Sequence, residues 1–339
     1  MFDLRTTWLT LVIQPVKADD VLWSGMPMTK EQALAKYDVD EVLTMDELKS
    51  RDDIWLGPVA LPDANGFLAE ERGLFAKRYA FKDEKGAMLE LGGRIAGTIG
   101  ELRVVKDLYE IALIRKANMI SEIAHVAVMK AIGGMKNERE AMALFHQQCT
   151  IHAARDQAYD SIVAGGCNAA TLHYVHDDQD LAGRELLLVD AGCEVNCYAS
   201  DITRTYPIRG KWTPNGRALY ALVLKMQMDC MSMLRAGVVW EDVHRRAHDV
   251  AYDGLIEELK ILKKGAPRQL TAAFFPHGLG HYLGLDTHDT GGNADYKDAD
   301  IMFRYLRVRG SLPANCVITV EPGVSLIQTW SRKGKRIEN

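Results

Sequence analysis

Five residues, in chain order, carry the donors of a metal site. Asp190 closes the apolar run Glu185-Leu-Leu-Leu-Val-Asp190. Asp201 stands in Ser200-Asp-Ile-Thr-Arg-Thr205. His281 lies in Pro276-His-Gly-Leu-Gly-His-Tyr-Leu-Gly284, Glu321 ends Val317-Ile-Thr-Val-Glu321, and Glu338 stands in Arg336-Ile-Glu338. Four carboxylates and one imidazole form a hard donor set. It suits two divalent ions of the manganese, cobalt or zinc kind better than a structural zinc, which favours thiolates. Two such ions can share one hydroxide and polarise a carbonyl, so the chemistry is hydrolytic.

The surrounding residues read as elements that could bring these donors together. Leu186 to Val189 is a short buried-strand run, Gly192 and Asn196 supply turn chemistry, and Tyr198 to Tyr206 reads as a return strand. A hairpin there places Asp190 and Asp201 at one level. Val317 to Val320 is a β-branched run that stops at Glu321-Pro-Gly323, and a carboxylate at a strand end is held without loop slack. His277 and His281 are four apart, but Gly278 and Gly280 argue against a helix, so this stretch is expected to be extended or turning. Singly, each position has an ordinary explanation as a solvated turn residue or a hydrogen-bonding histidine. Together they do not, because several carboxylates are costly to bury side by side without a cation.

These segments resemble the proline-specific metallopeptidases, the group of Xaa-Pro aminopeptidase (aminopeptidase P) and prolidase. The resemblance is carried by Ala170-Thr-Leu-His-Tyr174, Asp190-Ala-Gly192 with Ser200-Asp-Ile-Thr-Arg204, the run from His277 to Asp289, and Thr319-Val-Glu-Pro-Gly323. It runs from about Leu9 to Gly323 and is strongest for the fungal type. It implies an α/β (α+β) chain with a pita-bread catalytic domain behind a partial, smaller α/β N-terminal domain. It implies metal ligands at Asp190, Asp201, His281, Glu321 and Glu338, holding two divalent ions, Mn2+ first and Co2+ or Zn2+ next. Glu321 would also be the general base, with His173, His277, His288 and Arg336 serving substrate and protons. The implied reaction releases the residue that precedes proline in second position. Prolidase activity on Xaa-Pro dipeptides stays open, as does a catalytically impaired relative that acts as a binding module. A creatinase-like reading is weakened because its chemistry does not need the five-ligand set, and methionine aminopeptidase by the extra N-terminal domain.

The chain departs from that pattern at its ends. It enters the N-terminal domain partway, near Trp8. After Gly323 comes Val-Ser-Leu-Ile-Gln-Thr-Trp-Ser-Arg-Lys-Gly-Lys in place of the aromatic strand and insertion. The closing motif survives as Gly334-Lys-Arg-Ile-Glu-Asn339, one residue past the fifth ligand. A terminal segment frays unless docked, so Glu338 is expected to hold its ion more weakly than the other four ligands.

Composition narrows the alternatives. A chain of 339 residues with 47% apolar content can build two domains; the division is expected near Lys106, as 1–104 and 105–339. A formal charge of −5 leaves no basic footprint for nucleic acid. Six cysteines without paired metal spacing fit a reducing, cytoplasmic setting. Leu9 to Ile13 is too short for a secretory signal, and nothing approaches the ~18 apolar residues of a membrane span. The resemblance implies peptides with penultimate proline as partners and leaves a homodimer open.

Further elements are legible from their punctuation. A strand is expected over Leu9 to Val16, and helices over Thr29 to Tyr37, Asp46 to Arg51 and, interrupted by glycines, Gly86 to Val105. Asp107-Leu-Tyr-Glu110 reads as a capping box opening a helix to Ile132, and Asn137 caps another to about His152. Thr213-Pro214 opens a helix to about Arg235, closed by Gly237, and Trp240 to Leu262 is amphipathic. His125, His146, His152, His244 and His248 fall on these helices and are expected to be structural. The methionines at 226, 228, 231 and 233 are expected to pack in a core or against a neighbour.

Overall fold

The computed structural model describes residues 2–3, 6–16, 26–51 and 91–325. It divides into two compact units, Met1–Gly97 and Thr98–Asn339.

In the first unit, β1 (Phe2–Asp3) pairs antiparallel with β2 (Trp8–Ile13). Helix α1 (Lys30–Lys36) precedes β3 (Glu41–Thr44), which lies parallel to β2 in the register Thr10 to Glu41. Helix α2 (Met45–Ser50) follows directly. Both helices start for a chemical reason. The Thr29 and Thr44 hydroxyls accept from the backbone N–H three residues on, and Gln32 and Glu47 return the bond. Helix α3 (Leu91–Leu102) runs through Gly92, Gly93 and Gly97, so the glycines expected to interrupt it do not. Residues 86–90 of that expected helix lie outside the described residues.

The second unit, which begins within α3, continues with α4 (Leu108–Ala131), capped by the Asp107–Glu110 box, and α5 (Glu138–Ile151), capped by Asn137. Strands β4 (Ile162–Gly165), β5 (Leu186–Asp190) and β8 (Thr203–Pro207) form an antiparallel sheet in that order. Between β5 and β8 the chain makes a small hairpin, β6 (Glu194–Val195) and β7 (Tyr198–Ala199). Its turn residues Asn196 and Cys197 both have positive φ, 50° and 66°, as a type I′ turn requires. The expected single return strand is thus two short ones.

Two packed cores hold this unit together. In the first, Ala117, Ala124 and Val128 of α4 and Phe145 of α5 meet Val163, Leu187 and Val189 of the sheet, all fully buried. In the second, helices α6 (Pro214–Ser232) and α7 (Trp240–Glu257) enclose Leu222, Met226, Trp240, Val243, Phe275, Leu279 and Leu306. Each such large apolar side chain stabilises the fold by ~1.5–3 kcal/mol. Met226 is in that core, whereas Met228 and Met231 are 58% and 50% exposed on the other face of α6. Among the described residues, no helix is long and apolar enough to cross a membrane.

Candidate metal centre

Sheet register brings the first two carboxylates together. Asp190 is the last residue of β5, opposite Thr203 of β8 and Ile162 of β4. Asp201 sits just before β8, where the Ala191 N–H bonds the Ile202 carbonyl at 3.2 Å. The tie between the two is a residue the sequence reading missed. The Tyr159 hydroxyl lies 2.6 Å from Asp190 Oδ1 and 3.0 Å from Asp201 Oδ1. Burial, and then the two carboxylates, push that phenol well above its ordinary range, so it stays a donor. Its only sequence signal was position: a tyrosine shortly before the strand that pairs with β5.

The other two donors come from a second pair of extended segments. The Thr319 N–H donates to the His281 carbonyl at 2.9 Å, the Glu321 N–H to Leu279 at 2.8 Å, and the Leu283 N–H to Val317 at 3.0 Å. The segment 279–283 is therefore an antiparallel partner of 317–321, not a helix. Gly280 is what permits the approach, because a Cβ there would meet the Thr319 carbonyl. His281 and Glu321 consequently face each other.

Asp190, Asp201, His281 and Glu321 thus converge. His281 Nε2 lies 3.1 Å from Asp201 Oδ2 and 3.0 Å from Glu321 Oε1. The Thr319 hydroxyl donates to Glu321 Oε1 at 2.8 Å. Burial, then Asp201 and Glu321, push the Asp190 carboxyl up to about 7. The Glu321 carboxyl is pushed up by burial but held below its ordinary range by His281 and Thr319.

The imidazole of His281 tests whether these residues suit a cation. Its Nδ1 lies 3.0 Å from the Tyr282 carbonyl, which only accepts, so Nδ1 carries a proton. The buried Nε2 is left against two carboxylates with no well-directed hydrogen bond. A lone pair so placed is repelled unless a positive charge lies between, and a backbone-oriented imidazole beside carboxylates is a usual metal-binding arrangement. Among the described residues no three of these donors stand at metal-holding spacing; His281 Nε2 and the carboxylate oxygens approach each other directly. Without metal a proton takes that role. Burial pulls the imidazole down, but Asp201 and Glu321 outweigh it and hold it at about 10.

The remaining expected site residues fall into three groups. His288 stacks edge-on against His281 with ring centroids 4.4 Å apart. His277 packs edge-on against Phe275 at 4.8 Å, its Nδ1 is 2.9 Å from the Gly278 carbonyl, and its Nε2 faces Gly323. Burial pushes its imidazole down, so it is neutral near pH 7. His173 is exposed, on the loop after the 3-10 turn Gly166–Ala170; among the described residues it makes no hydrogen bond or ring contact. Arg336 and Glu338 lie outside the described residues. A cavity of about 160 Å³ opens beside the centre, lined by His281, Tyr282, His288, Asp289, Tyr296 and Arg307 among others. A larger groove of about 940 Å³ runs along α4 and β8 but includes none of the four converging donors. Of the four donors, the smaller cavity is lined by His281 alone.

Two opposing pH effects follow. Burial pushes the His125, His244 and His248 imidazoles down, to about 4, 3 and 4. Their contribution to stability is present above the unfolded value near 6.5 and is lost as pH falls towards 4. Asp190 and Asp177, raised to about 7 and about 6, work against them over that window, while His288, lowered to about 4, acts with the three. His281 has the sign of a raised base: its contribution is full below about 6.5 and is lost as pH rises through about 10. Metal-free protein is therefore expected to be most thermostable near pH 6.5, with the melting temperature falling on both sides. Saturating divalent metal requires deprotonated His281 and Asp190, so it should flatten the alkaline limb and its stabilisation should fade as pH drops below about 7. Thermal melts by circular dichroism from pH 4 to 10, with and without metal, check this. A metal-free melting temperature that stays flat above pH 6.5 would remove the proton from His281.

Comparison with known proteins converges on one family. The profile of metallopeptidase family M24 matches residues 112–339, and that of the aminopeptidase P N-terminal domain matches residues 2–56. A probable Xaa-Pro aminopeptidase of Pyrenophora teres f. teres is 51% identical over 336 residues, covering 95% of this chain and 69% of that protein. Among solved structures, proline aminopeptidase P II from Yersinia pestis aligns with a TM-score of 0.73 at 30% identity, over 96% of this chain and 74% of that one. Zinc-substituted Escherichia coli aminopeptidase P in complex with product aligns with a TM-score of 0.73 at 26% identity, over 97% and 73%.

Proposed function

This chain belongs to metallopeptidase family M24, and we propose that it is a metal-dependent Xaa-Pro aminopeptidase that releases the N-terminal residue of peptides with proline in second position. The observation that carries the reading is the buried His281 nitrogen set between Asp201 and Glu321, with Asp190 tied to Asp201 through Tyr159. In this reading residues 1–104 form a smaller N-terminal domain and residues 105–339 the pita-bread catalytic domain.

Asp190, Asp201, His281 and Glu321, with Glu338 as the fifth ligand, would hold two divalent ions, and the mostly oxygen donor set favours Mn2+. Bound there, the ions would supply a water acidic enough to attack at neutral pH and would polarise the scissile carbonyl. Glu321 takes the proton of the attacking water. Its carboxylate, below its ordinary range beside protonated His281 in the metal-free site, would be kept ionised by the cations that replace that proton; the Thr319 hydroxyl orients it, and its side chain is 32% exposed. His288, beside His281, is placed to donate a hydrogen bond to the substrate carbonyl, while the neutral His277, whose Nδ1–H is directed at the Gly278 carbonyl, presents Nε2 as an acceptor that would orient the substrate. The family resemblance gives His173 and Arg336 substrate-binding roles. A proline amide lacks an N–H and restricts the residue before it, so a dedicated site is needed. Free cysteines throughout the described residues support a reducing, cytoplasmic setting.

The test is elemental analysis of the purified chain together with cleavage of Xaa-Pro tripeptides and dipeptides by the same sample. Bound divalent metal with release of the first residue from the tripeptide is the expected result. Cleavage of dipeptides alone would make it a prolidase, and two bound ions without cleavage a binding module. Calorimetric titration with Mn2+ extends the test: two unequal sites are expected, the weaker one lost in Glu338→Ala. Two equally tight sites would mean that the C-terminal segment is firmly docked. Sedimentation of that sample tests for a homodimer.

A further inference from the structure

His288 stands directly against His281, yet among the described residues no hydrogen bond to its own ring fixes it. What is fixed is the next residue. Asp289 is buried, its side chain 1% exposed, and each of its oxygens has a cationic partner. Oδ2 accepts from Lys106 Nζ at 2.7 Å, and Oδ1 accepts from Arg103 Nη2 at 2.5 Å. Its backbone N–H donates to the Tyr282 carbonyl at 2.9 Å, which closes the loop 282–289. The other end of the pair is equally constrained. Lys106, 1% exposed at its side chain, is held through its N–H to the Asn315 carbonyl at 3.0 Å, at the start of the segment that leads to Glu321. Gly284 lies between them, and a Cβ there would meet both the Asp289 carboxylate and Lys106 Cε.

We infer that the buried Lys106–Asp289 ion pair, with Arg103 on the second carboxylate oxygen, is a positioning element that sets His288 against His281. A buried ion pair adds little net stability over an apolar pair of similar volume, because desolvating both charges offsets their attraction. What it supplies is direction: a carboxylate with both oxygens bound cannot rotate, and the adjoining Cα of His288 is fixed with it. Neighbours in sequence, His288 and Asp289 do not pair in the structure. The structure turns that aspartate away from the histidine and towards Lys106. The inference rests on the aminopeptidase reading for its kinetic readout, but not for its structural one.

The test compares wild type with Lys106→Met/Asp289→Leu, which removes both charges together and so leaves neither unpaired. Four quantities are read on the full chain: bound metal, kcat and KM on an Xaa-Pro tripeptide, and the His288 ring resonance of 15N-histidine-labelled protein, assigned with His288→Gln. The expected result is unchanged metal content and KM, a kcat lower on the order of 100-fold, as a displacement near 1 Å can produce, and a shifted or broadened His288 signal. An unmoved resonance with wild-type kcat would overturn the inference. If wild type cleaves no Xaa-Pro peptide, the functional reading fails and the resonance alone decides the positioning role. Should the double variant not fold, Arg103→Gln carries the same readouts. It removes one partner of Asp289 from a side chain that is already 26% exposed, with a smaller loss of kcat expected and an unchanged resonance again overturning the inference.

Discussion

Replacing Glu321 by Gln is expected to lower turnover of an Xaa-Pro tripeptide by at least ~10³-fold at saturating metal, while the chain remains folded. Two losses combine. The amide cannot accept the proton of the attacking water, and general-base assistance contributes ~10²–10⁴-fold. It also brings no negative charge to the cation site. The fold should survive because the backbone of residue 321 is held independently, its N–H donating to the Leu279 carbonyl at 2.8 Å. The Thr319 hydroxyl can still donate to the amide oxygen, so the side chain should stay in place. Circular dichroism and single-turnover kinetics on one preparation make the comparison. A variant that keeps near wild-type rate at saturating Mn2+ would strip Glu321 of the role of base.

The second large effect is expected in metal affinity. Asp201→Asn should weaken divalent-ion binding by more than ~100-fold, beyond the 10–100-fold typical of residues that only orient a ligand. Asp201 is the carboxylate that faces both sides of the centre, with Oδ1 towards Tyr159 and Oδ2 towards His281. Tyr159→Phe removes only the hydroxyl that joins Asp190 to Asp201, so it should fall inside that 10–100-fold range. Isothermal titration of the metal-free variants reads both. Equal losses for Asp201→Asn and Tyr159→Phe would indicate that carboxylate orientation, rather than charge, sets affinity at this centre.

Several of the elements around this centre were legible in the sequence, because their signals are local. The capping box at Asp107–Glu110, the Asn137 cap and the Thr213-Pro214 helix start are short-range hydrogen-bond chemistry written into adjacent residues. The hairpin between Asp190 and Asp201 was legible for the same reason, although its return strand is split by Ser200–Ile202. The extended character of 277–283 followed from glycine spacing. The uninterrupted course of α3 through three glycines did not, since an unfavourable propensity is a weak signal that surrounding structure overrides.

The sequence by itself thus determined the kind of chemistry: hard oxygen donors in number, their order, and the strand ends that carry them. Tertiary structure alone decided which side chains meet. Tyr159 joins two aspartates 31 and 42 positions away, and Lys106 meets Asp289 across 183. Neither pairing leaves a local pattern, because the contacts depend on sheet register and on how the 279–283 and 317–321 segments pair. Charge on Asp190 and His281 was equally invisible in the sequence. Both groups are ordinary in isolation, and only the burial and convergence of three carboxylates around one imidazole shift them, Asp190 to about 7 and His281 to about 10.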